Sequence, residues 1–144
     1  MLTVRDILNR KGTDVVSISP TATVLDAAYL MNTRGTGSVL VTDEAGLQGI
    51  FTERDVLRRI VAGQRNPATT PVGEVMTVSV VTCRPDTPVA DCMATMTARR
   101  IRRLPVLDGS VIVGLITSGD VLACEAAEQA QTIQYLNSYI HESR

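Results

Sequence analysis

The chain has 144 residues, of which 44% are hydrophobic and 20% charged, enough for one compact domain or two very small ones. Its formal net charge of −1 gives no field for nucleic acid or an anionic membrane, and one Phe, three Tyr and no Trp make a base-stacking surface unexpected. The opening MLTVRDILNR carries Arg5 and Asp6 where a signal peptide would be apolar, and no apolar run approaches the roughly 18 residues of a membrane span, so a cytoplasmic protein is expected.

VVSI (15–18) reads as a short β-rich run. Thr23 then opens a helix, with Asp26 three residues on and Val24, Ala27, Ala28 and Met31 on one face. VLVT (39–42) and LQGIF (47–51) follow as two strands joined by a DEAG turn, and a helix begins within GIFTERD (49–55). AGQRNPATTP, with its two prolines, reads as a linker. VSVVTC (78–83) starts the series again. Thr87 before Pro88 suits a helix start with proline at the first helical position, and Val89, Cys92, Met93 and Met96 share a face. LPVL (104–107) and VIVGLI (111–116) are the next strands, turned by DG, and GLITSGD (114–120) leads into the last helix.

The series is a repeat. A shift of 65 positions lays residues 16–57 on 81–122 without a gap, with 13 of 42 positions identical, and TVRDIL (3–8) recurs as PVGEVM (71–76). The expected organisation is repeat 1 over 1–62, a linker over 63–71, repeat 2 over 72–125 and a helical extension over 126–144. Each repeat is β-α-β-β-α and too small to be secure alone, so the two should pair.

The heptad G-h-h-T-x-x-D occurs in both copies. Thr52/Asp55 and Thr117/Asp120 fit helix capping at a strand-to-helix junction whether or not anything binds. The same geometry suits a nucleotide: the helix start attracts phosphate, and a carboxylate can accept both hydroxyls of a ribose diol. Gly49 and Gly114 would leave room for a ligand beside the strand end. ARRIRRLPV (98–106) puts four arginines in five residues. By strand alternation Arg102 shares a face with Leu104, and Arg103 with Pro105, so at least one should face a cleft; Arg54 is a further candidate for phosphate. The three cysteines form no CxxC and read as small buried apolar residues in a reducing compartment, and the lone His141 has no metal-ligating neighbours.

With RRLPVLD in the second copy, the two units resemble a tandem cystathionine-β-synthase (CBS) domain pair, a Bateman module, and FTERDVLRRI is similar to small stand-alone proteins of that family. The resemblance implies an α/β (α+β) fold: two β-α-β-β-α repeats packed with pseudo-twofold symmetry, plus a C-terminal helix extension. It implies adenosine ligands in two clefts, with Asp55 and Asp120 on the ribose diols and Thr52 and Thr117 beside them. By pseudo-symmetry, Arg102, Arg103 and Ser118 would face the Asp55 site, and Arg54 the Asp120 site. Adenine would lie near Val16 and Ile18, and near Val81, Cys83, Ile101 and Pro105. Where repeat 2 has RIRRLP, repeat 1 has GTGSVL, so Gly37 and Ser38 offer backbone and hydroxyl but no charge, and the two sites should differ in affinity.

The implied function is regulatory, not enzymatic: a sensor of AMP, ADP or ATP, with NAD(H) and S-adenosylmethionine as further adenosyl ligands, acting on an unknown regulated protein. There is no paired nucleophile and base, no metal cluster and no phosphate loop. The alternatives are a ligand-free dimeric interaction module, a thiol- or redox-linked regulator, and a nucleic-acid binder using Arg99–Arg103. Ala126, Gln129, Ile133, Leu136 and Ile140 lie close to a seven-residue seam, so a homodimer through the last helix is expected, the alternative being a helix folded back over the first repeat.

Overall fold

The structure is a computed structural model that describes residues 1–142, with side chains described through Ile140; the side chain of His141 and the last residues of the expected extension lie outside the described residues. The elements in order are α1 (Val4–Lys11), β1 (Ser17–Ile18), α2 (Val24–Arg34), β2 (Ser38–Asp43), β3 (Gly46–Thr52), α3 (Glu53–Asp55), α4 (Val72–Val75), α5 (Val89–Arg99), β4 (Arg103–Asp108), β5 (Val111–Thr117) and α6 (Ser118–Glu142). A π-helical turn over Val56–Val61 continues α3. In one sheet β1 runs parallel to β2, and β2 antiparallel to β3; β4 pairs with β5 in another. The mixed helix-and-strand fold with a C-terminal helix is the expected one.

The chain forms two compact units that differ from the sequence repeats. One holds Asp14–Val81 with Gly109–Ile112; the other holds Met1–Thr13, Thr82–Asp108 and the chain from Val113 onward. Each repeat is therefore completed by a helix from outside its own β-α-β-β-α run: α4 in the first, α1 in the second. The attachment is the same in both. In the first unit Val72 N donates to Ala22 O (2.8 Å), Gly73 N to Pro20 O (2.9 Å) and Val24 N to Thr70 O (2.9 Å). In the second, Val4 N donates to Thr87 O, Arg5 N to Pro85 O and Val89 N to Leu2 O, each at 2.9 Å. These bonds serve the orphan N–H groups at both helix starts at once.

The expected linker is likewise part of a unit. Leu25 N donates to Pro67 O, and buried Thr70 donates its hydroxyl to Asn66 O at 2.7 Å. The first core is aliphatic with one aromatic: Val24, Ala27, Met31, Val39, Val41, Phe51, Ile60, Val72 and Val75. In the second unit Val4, Ile7, Val89, Cys92, Met96, Leu104, Val106 and Ile116 are buried in the corresponding way. So the helix faces read from periodicity are core faces.

Two local expectations need correction. VSVVTC forms no strand: Cys83 makes a single parallel bridge to Val106. The reason is Pro105. In repeat 1 the equivalent Leu40 donates its N–H to Val16 O at 2.9 Å, and proline has no N–H to offer Val81. Second, Pro88 is the N-cap of α5 rather than its first residue, and the Thr87 hydroxyl accepts from Arg84 N at 2.9 Å, closing a turn instead of capping the helix. Thr23 does cap α2, with Asp26 completing the box.

α6 is one continuous helix of 25 residues. Val121 and Cys124 are buried, but every residue from Glu128 to Ile140 is exposed, as is Ala126.

The two copies also end their middle helix in the same left-handed residue, Gly35 (φ 64°) after α2 and Arg100 (φ 55°) after α5. Only glycine takes that backbone without strain from a Cβ. Arg100→Gly should therefore stabilise the protein, by about 0.5–1 kcal/mol after the extra unfolded-state entropy of glycine is subtracted. Urea unfolding with an unchanged slope and a higher midpoint is the expected reading.

Candidate functional site

Each repeat closes with a Thr–Asp box at the strand-to-helix junction. In the first unit Thr52 N donates to Asp55 Oδ2 (3.0 Å), the Thr52 hydroxyl also donates to Oδ2 (3.2 Å), and Asp55 N donates back to Thr52 Oγ1 (3.3 Å). In the second, Thr117 N donates to Asp120 Oδ2 (2.8 Å) and Asp120 N to Thr117 Oγ1 (3.1 Å). Both carboxylates are half-buried. The helix behind each box starts from an equivalent backbone bond, Glu53 N to Gly37 O (3.0 Å) and Ser118 N to Arg102 O (2.9 Å). Capping is therefore real in both copies, and it occupies one oxygen of each carboxylate.

What meets the carboxylates differs. Lys11, the last residue of α1, places its ammonium 2.6 Å from Asp120 Oδ2 and 2.9 Å from Leu115 O. Beside them Arg10 donates to Ala123 O (3.3 Å), and a cavity of about 160 Å³ is lined by Ile7, Arg10, Lys11, Asp120, Ala123 and Cys124. Asp55 has a weaker neighbour. Arg59, one turn on, lies 3.6 Å from Oδ1 and spends its guanidinium on Val75 O (3.0 Å) and Met76 O (3.3 Å). Burial pushes the Asp120 carboxyl up, but the Lys11 ammonium and the Thr117 hydrogen bonds outweigh it, holding the carboxyl below its ordinary value.

The heptad glycines serve packing. A Cβ on Gly114 would lie 2.6 Å from Leu8 Cδ2; one on Gly49 would lie 2.6 Å from Met76 Sδ and 2.8 Å from Thr77 O. The room expected for a ligand beside these glycines is filled by side chains of the incoming segments. Gly49 faces the firmer obstacle, since one of its neighbours is backbone.

Ser38 stands out in the first unit. It lies directly across from Thr52 on the neighbouring strand, so the two side chains share a face. It is 2% exposed and its hydroxyl has no hydrogen-bond partner. Gly37, Val16 and Ile18 belong to the same unit and are half-buried, as is Val81; Arg54 is exposed. The other unit holds Thr117, Ser118 and Asp120 with Arg102, Arg103, Cys83, Ile101 and Pro105. Cys83 and Pro105 are buried, Ile101, Arg103 and Ser118 half-buried, and Arg102 exposed. The expected alternation along 102–105 does not hold, because Leu104, Pro105 and Val106 are all buried, leaving β4 without a solvent face there. Arg102, Arg103 and Ser118 thus belong to a different unit from Asp55, and Arg54 to a different unit from Asp120.

Sequence reasoning missed Lys11 and Arg59. Arg59 carried a local signal, a carboxylate four residues earlier on a helix. Lys11 carried none, being 109 positions from Asp120. Among the described residues no cluster of three or more His, Cys, Asp or Glu could hold a metal ion, and no helix is long and apolar enough to cross a membrane.

Paired Thr–Asp junctions on twin α/β repeats define a class of tandem modules, and comparison with known proteins names it. The family model for the CBS domain matches residues 4–62 and 72–126, and the chain belongs to that family as a CBS domain pair. It is 33% identical to the mitochondrial CBS domain-containing protein CBSX3 of Arabidopsis thaliana, over 96% of this chain and 71% of that protein. A solved structure of a protein with CBS domains from Burkholderia ambifaria is 40% identical, with a TM-score of 0.85 over 89% of this chain and 96% of that one. The CBS domain pair of MJ0100, solved in complex with 5′-methylthioadenosine and S-adenosyl-L-methionine, shares the fold at 24% identity, TM-score 0.78, over 89% of this chain and 98% of that one.

The Lys11–Asp120 pair has a pH signature. The folded-state carboxyl lies below its unfolded value, so its contribution is complete above the unfolded pKa and is lost as pH falls through the folded one. Both side chains are partly exposed, 32% and 23%. Lys11→Met should therefore cost only about 0.5–1 kcal/mol at pH 7. The gap to wild type should narrow in acid, as pH falls from the unfolded carboxylate value of about 3.9 through the lower folded one. Urea midpoints at both pH values check this; a gap that does not change with pH would place the effect of Lys11 in packing.

Proposed function

We propose that this CBS pair is a regulatory protein that binds adenosine-containing ligands and alters a partner protein in response. AMP, ADP and ATP are the first ligands to test, then NAD(H) and S-adenosylmethionine. In this reading Asp55 and Asp120 accept the ribose diol, Thr52 and Thr117 orient the carboxylates, and Arg54, Arg102, Arg103 and Ser118 meet phosphate. Val16, Ile18, Gly37, Val81, Cys83, Ile101 and Pro105 form the surroundings of the base. It is not an enzyme, and it works in the cytoplasm.

The observation that carries the reading is the Ser38 hydroxyl. A buried hydroxyl without a partner costs on the order of 1–3 kcal/mol, and a chain keeps such a group where something else supplies the partner. It sits opposite Thr52, next to a carboxylate whose Oδ1 faces Arg59 at 3.6 Å, beyond hydrogen-bond distance. Polar capacity is thus unspent at this junction. At Asp120 the Lys11 ammonium already sits on the carboxylate, so a diol there must share or displace it. The Asp55 site is accordingly the tighter one. The MJ0100 complex gives independent support that this fold accommodates adenosyl ligands.

Ser38→Ala separates this reading from a ligand-free interaction module. It should stabilise the free protein by up to about 1 kcal/mol and weaken AMP binding several-fold, effects of opposite sign. Asp55→Asn keeps much of the cap but should weaken AMP by about 1.5–3 kcal/mol in calorimetry. If both variants bind every adenosyl ligand as wild type does, the site assignment fails.

Assembly belongs to the same proposal. The exposed seam of Ile133 (58%), Leu136 (50%) and Ile140 (52%) fits a second copy of this helix, which makes the protein a homodimer. Removing residues 127–144 should yield a folded monomer in sedimentation at micromolar concentration; a truncated protein that stays dimeric refutes the role of the helix.

A further inference from the structure

The helices that complete the two units differ in length. α4 stops at Val75, whereas α1 runs one turn further, to Lys11. That added turn carries Arg10 and Lys11; the shift of 68 positions that lays TVRDIL on PVGEVM puts Val78 and Ser79 there in the other copy. Both cations line the cavity of about 160 Å³ that Asp120 borders. The Lys11 ammonium lies 2.6 Å from Asp120 Oδ2 and 2.9 Å from Leu115 O, and Arg10 donates to Ala123 O at 3.3 Å. All of these residues belong to one unit. At the Asp55 junction the nearby cation comes instead from the helix that follows the box: the 65-residue shift, carried two positions on, sets Arg59 against Cys124.

The cavity wall thus holds two cations and one carboxylate. A ribose diol that takes the carboxylate deprives the ammonium of its partner, and both cations then face the cavity with no anion. Parting a charge from its partner in a half-buried place costs affinity unless another group replaces the partner. A phosphate on the 5′ carbon of the ligand is such a group. The Lys11 ammonium rides on a flexible four-carbon stem that can turn to it, and Arg10, held by one long hydrogen bond, presents a fork that matches it. At Asp55 no exchange is needed. Arg59 keeps its bonds to Val75 O and Met76 O whatever the carboxylate meets, and the Ser38 hydroxyl is neutral.

We propose that Lys11 makes the Asp120 site selective for adenosyl ligands that carry a 5′-phosphate, while the Asp55 site takes them with or without one. This rests on the adenosyl reading above and adds which ligand each site accepts. Lys11 acts by exchange, passing from the carboxylate to the phosphate as the diol arrives. Adenosine offers the same base and diol as AMP but nothing to receive the ammonium, so Lys11 competes with it for Asp120. Two copies of one Thr–Asp box then answer to different ligands, and the difference lies in the one extra turn of α1.

AMP and adenosine are the probes, since they differ only in the phosphate. The full-length chain with Asp55→Asn, which leaves Asp120 as the remaining acidic junction, is compared in titration calorimetry with the same chain carrying Lys11→Met or Lys11→Arg. With Lys11 present, AMP should bind about tenfold or more tighter than adenosine. Lys11→Met should weaken AMP and tighten adenosine, closing the gap, and Lys11→Arg should keep it. Opposite signs mark exchange; a merely structural role moves both probes together. In the wild-type chain the same selectivity reads as two AMP but one adenosine bound per chain. A Lys11→Met change that shifts both affinities in one direction, or shifts neither, overturns the proposal, as does adenosine filling both sites of the wild-type chain. Failure of the adenosyl reading looks different: neither probe binds the wild-type chain, or binding survives Asp55→Asn and Asp120→Asn together, and the proposal falls with it.

Discussion

Leu8 and Met76 occupy the space where Gly114 and Gly49 would carry a side chain. That close approach fixes a segment from elsewhere in the chain onto the last strand of each repeat, and the remaining architecture follows from it. A β-α-β-β-α run leaves apolar sheet surface uncovered; α1 covers it in one unit and α4 in the other. The paired backbone bonds at Val4, Arg5 and Val89, and at Val72, Gly73 and Val24, set the entry of both helices at once. Because the covering segment is short and rigidly entered, its end falls at a defined place. In the second unit that places Lys11 on Asp120. In the first, α4 ends at Val75, whose carbonyl takes the Arg59 guanidinium that lies beside Asp55.

A single junction can thus be both structural and available. The Thr–Asp box meets the first N–H groups of the following helix through one carboxylate oxygen and one hydroxyl. A carboxylate has more acceptor capacity than that use consumes. In one unit an ammonium shares the capping oxygen; in the other the junction borders a buried hydroxyl with no partner. Two copies of one motif therefore present different chemistry, and the difference comes from residues outside the motif.

Duplication also shows what the fold tolerates. Gly35 and Arg100 hold the same left-handed backbone, one without strain and one with it. Leu40 and Pro105 hold the same strand position, but only the leucine can donate, and β1 has no full counterpart in repeat 2 for that reason. Ile18 and Ala27 answer to Cys83 and Cys92. Each pair is an internal comparison in which the backbone is nearly constant and the side chain varies.

The repeat, the order of elements apart from the strand that VSVVTC does not form, the buried helix faces and both Thr–Asp boxes were legible in the sequence, because each is written in local spacing: a period, a turn residue, a cap with its partner three positions on. Arg59 was within reach of the same kind of reading. The segments that complete each unit were not, since TVRDIL and PVGEVM look alike and neither says which sheet it will cover. Lys11 on Asp120, Leu8 against Gly114 and the unpartnered Ser38 hydroxyl depend on that choice, and so did the true use of the heptad glycines. Burial on both faces of β4 likewise depended on what packs around it, which is why alternation misread Arg102 and Arg103. Local geometry is set by neighbours within a turn or two; what a carboxylate meets is set by long-range packing, and only the tertiary structure decided that.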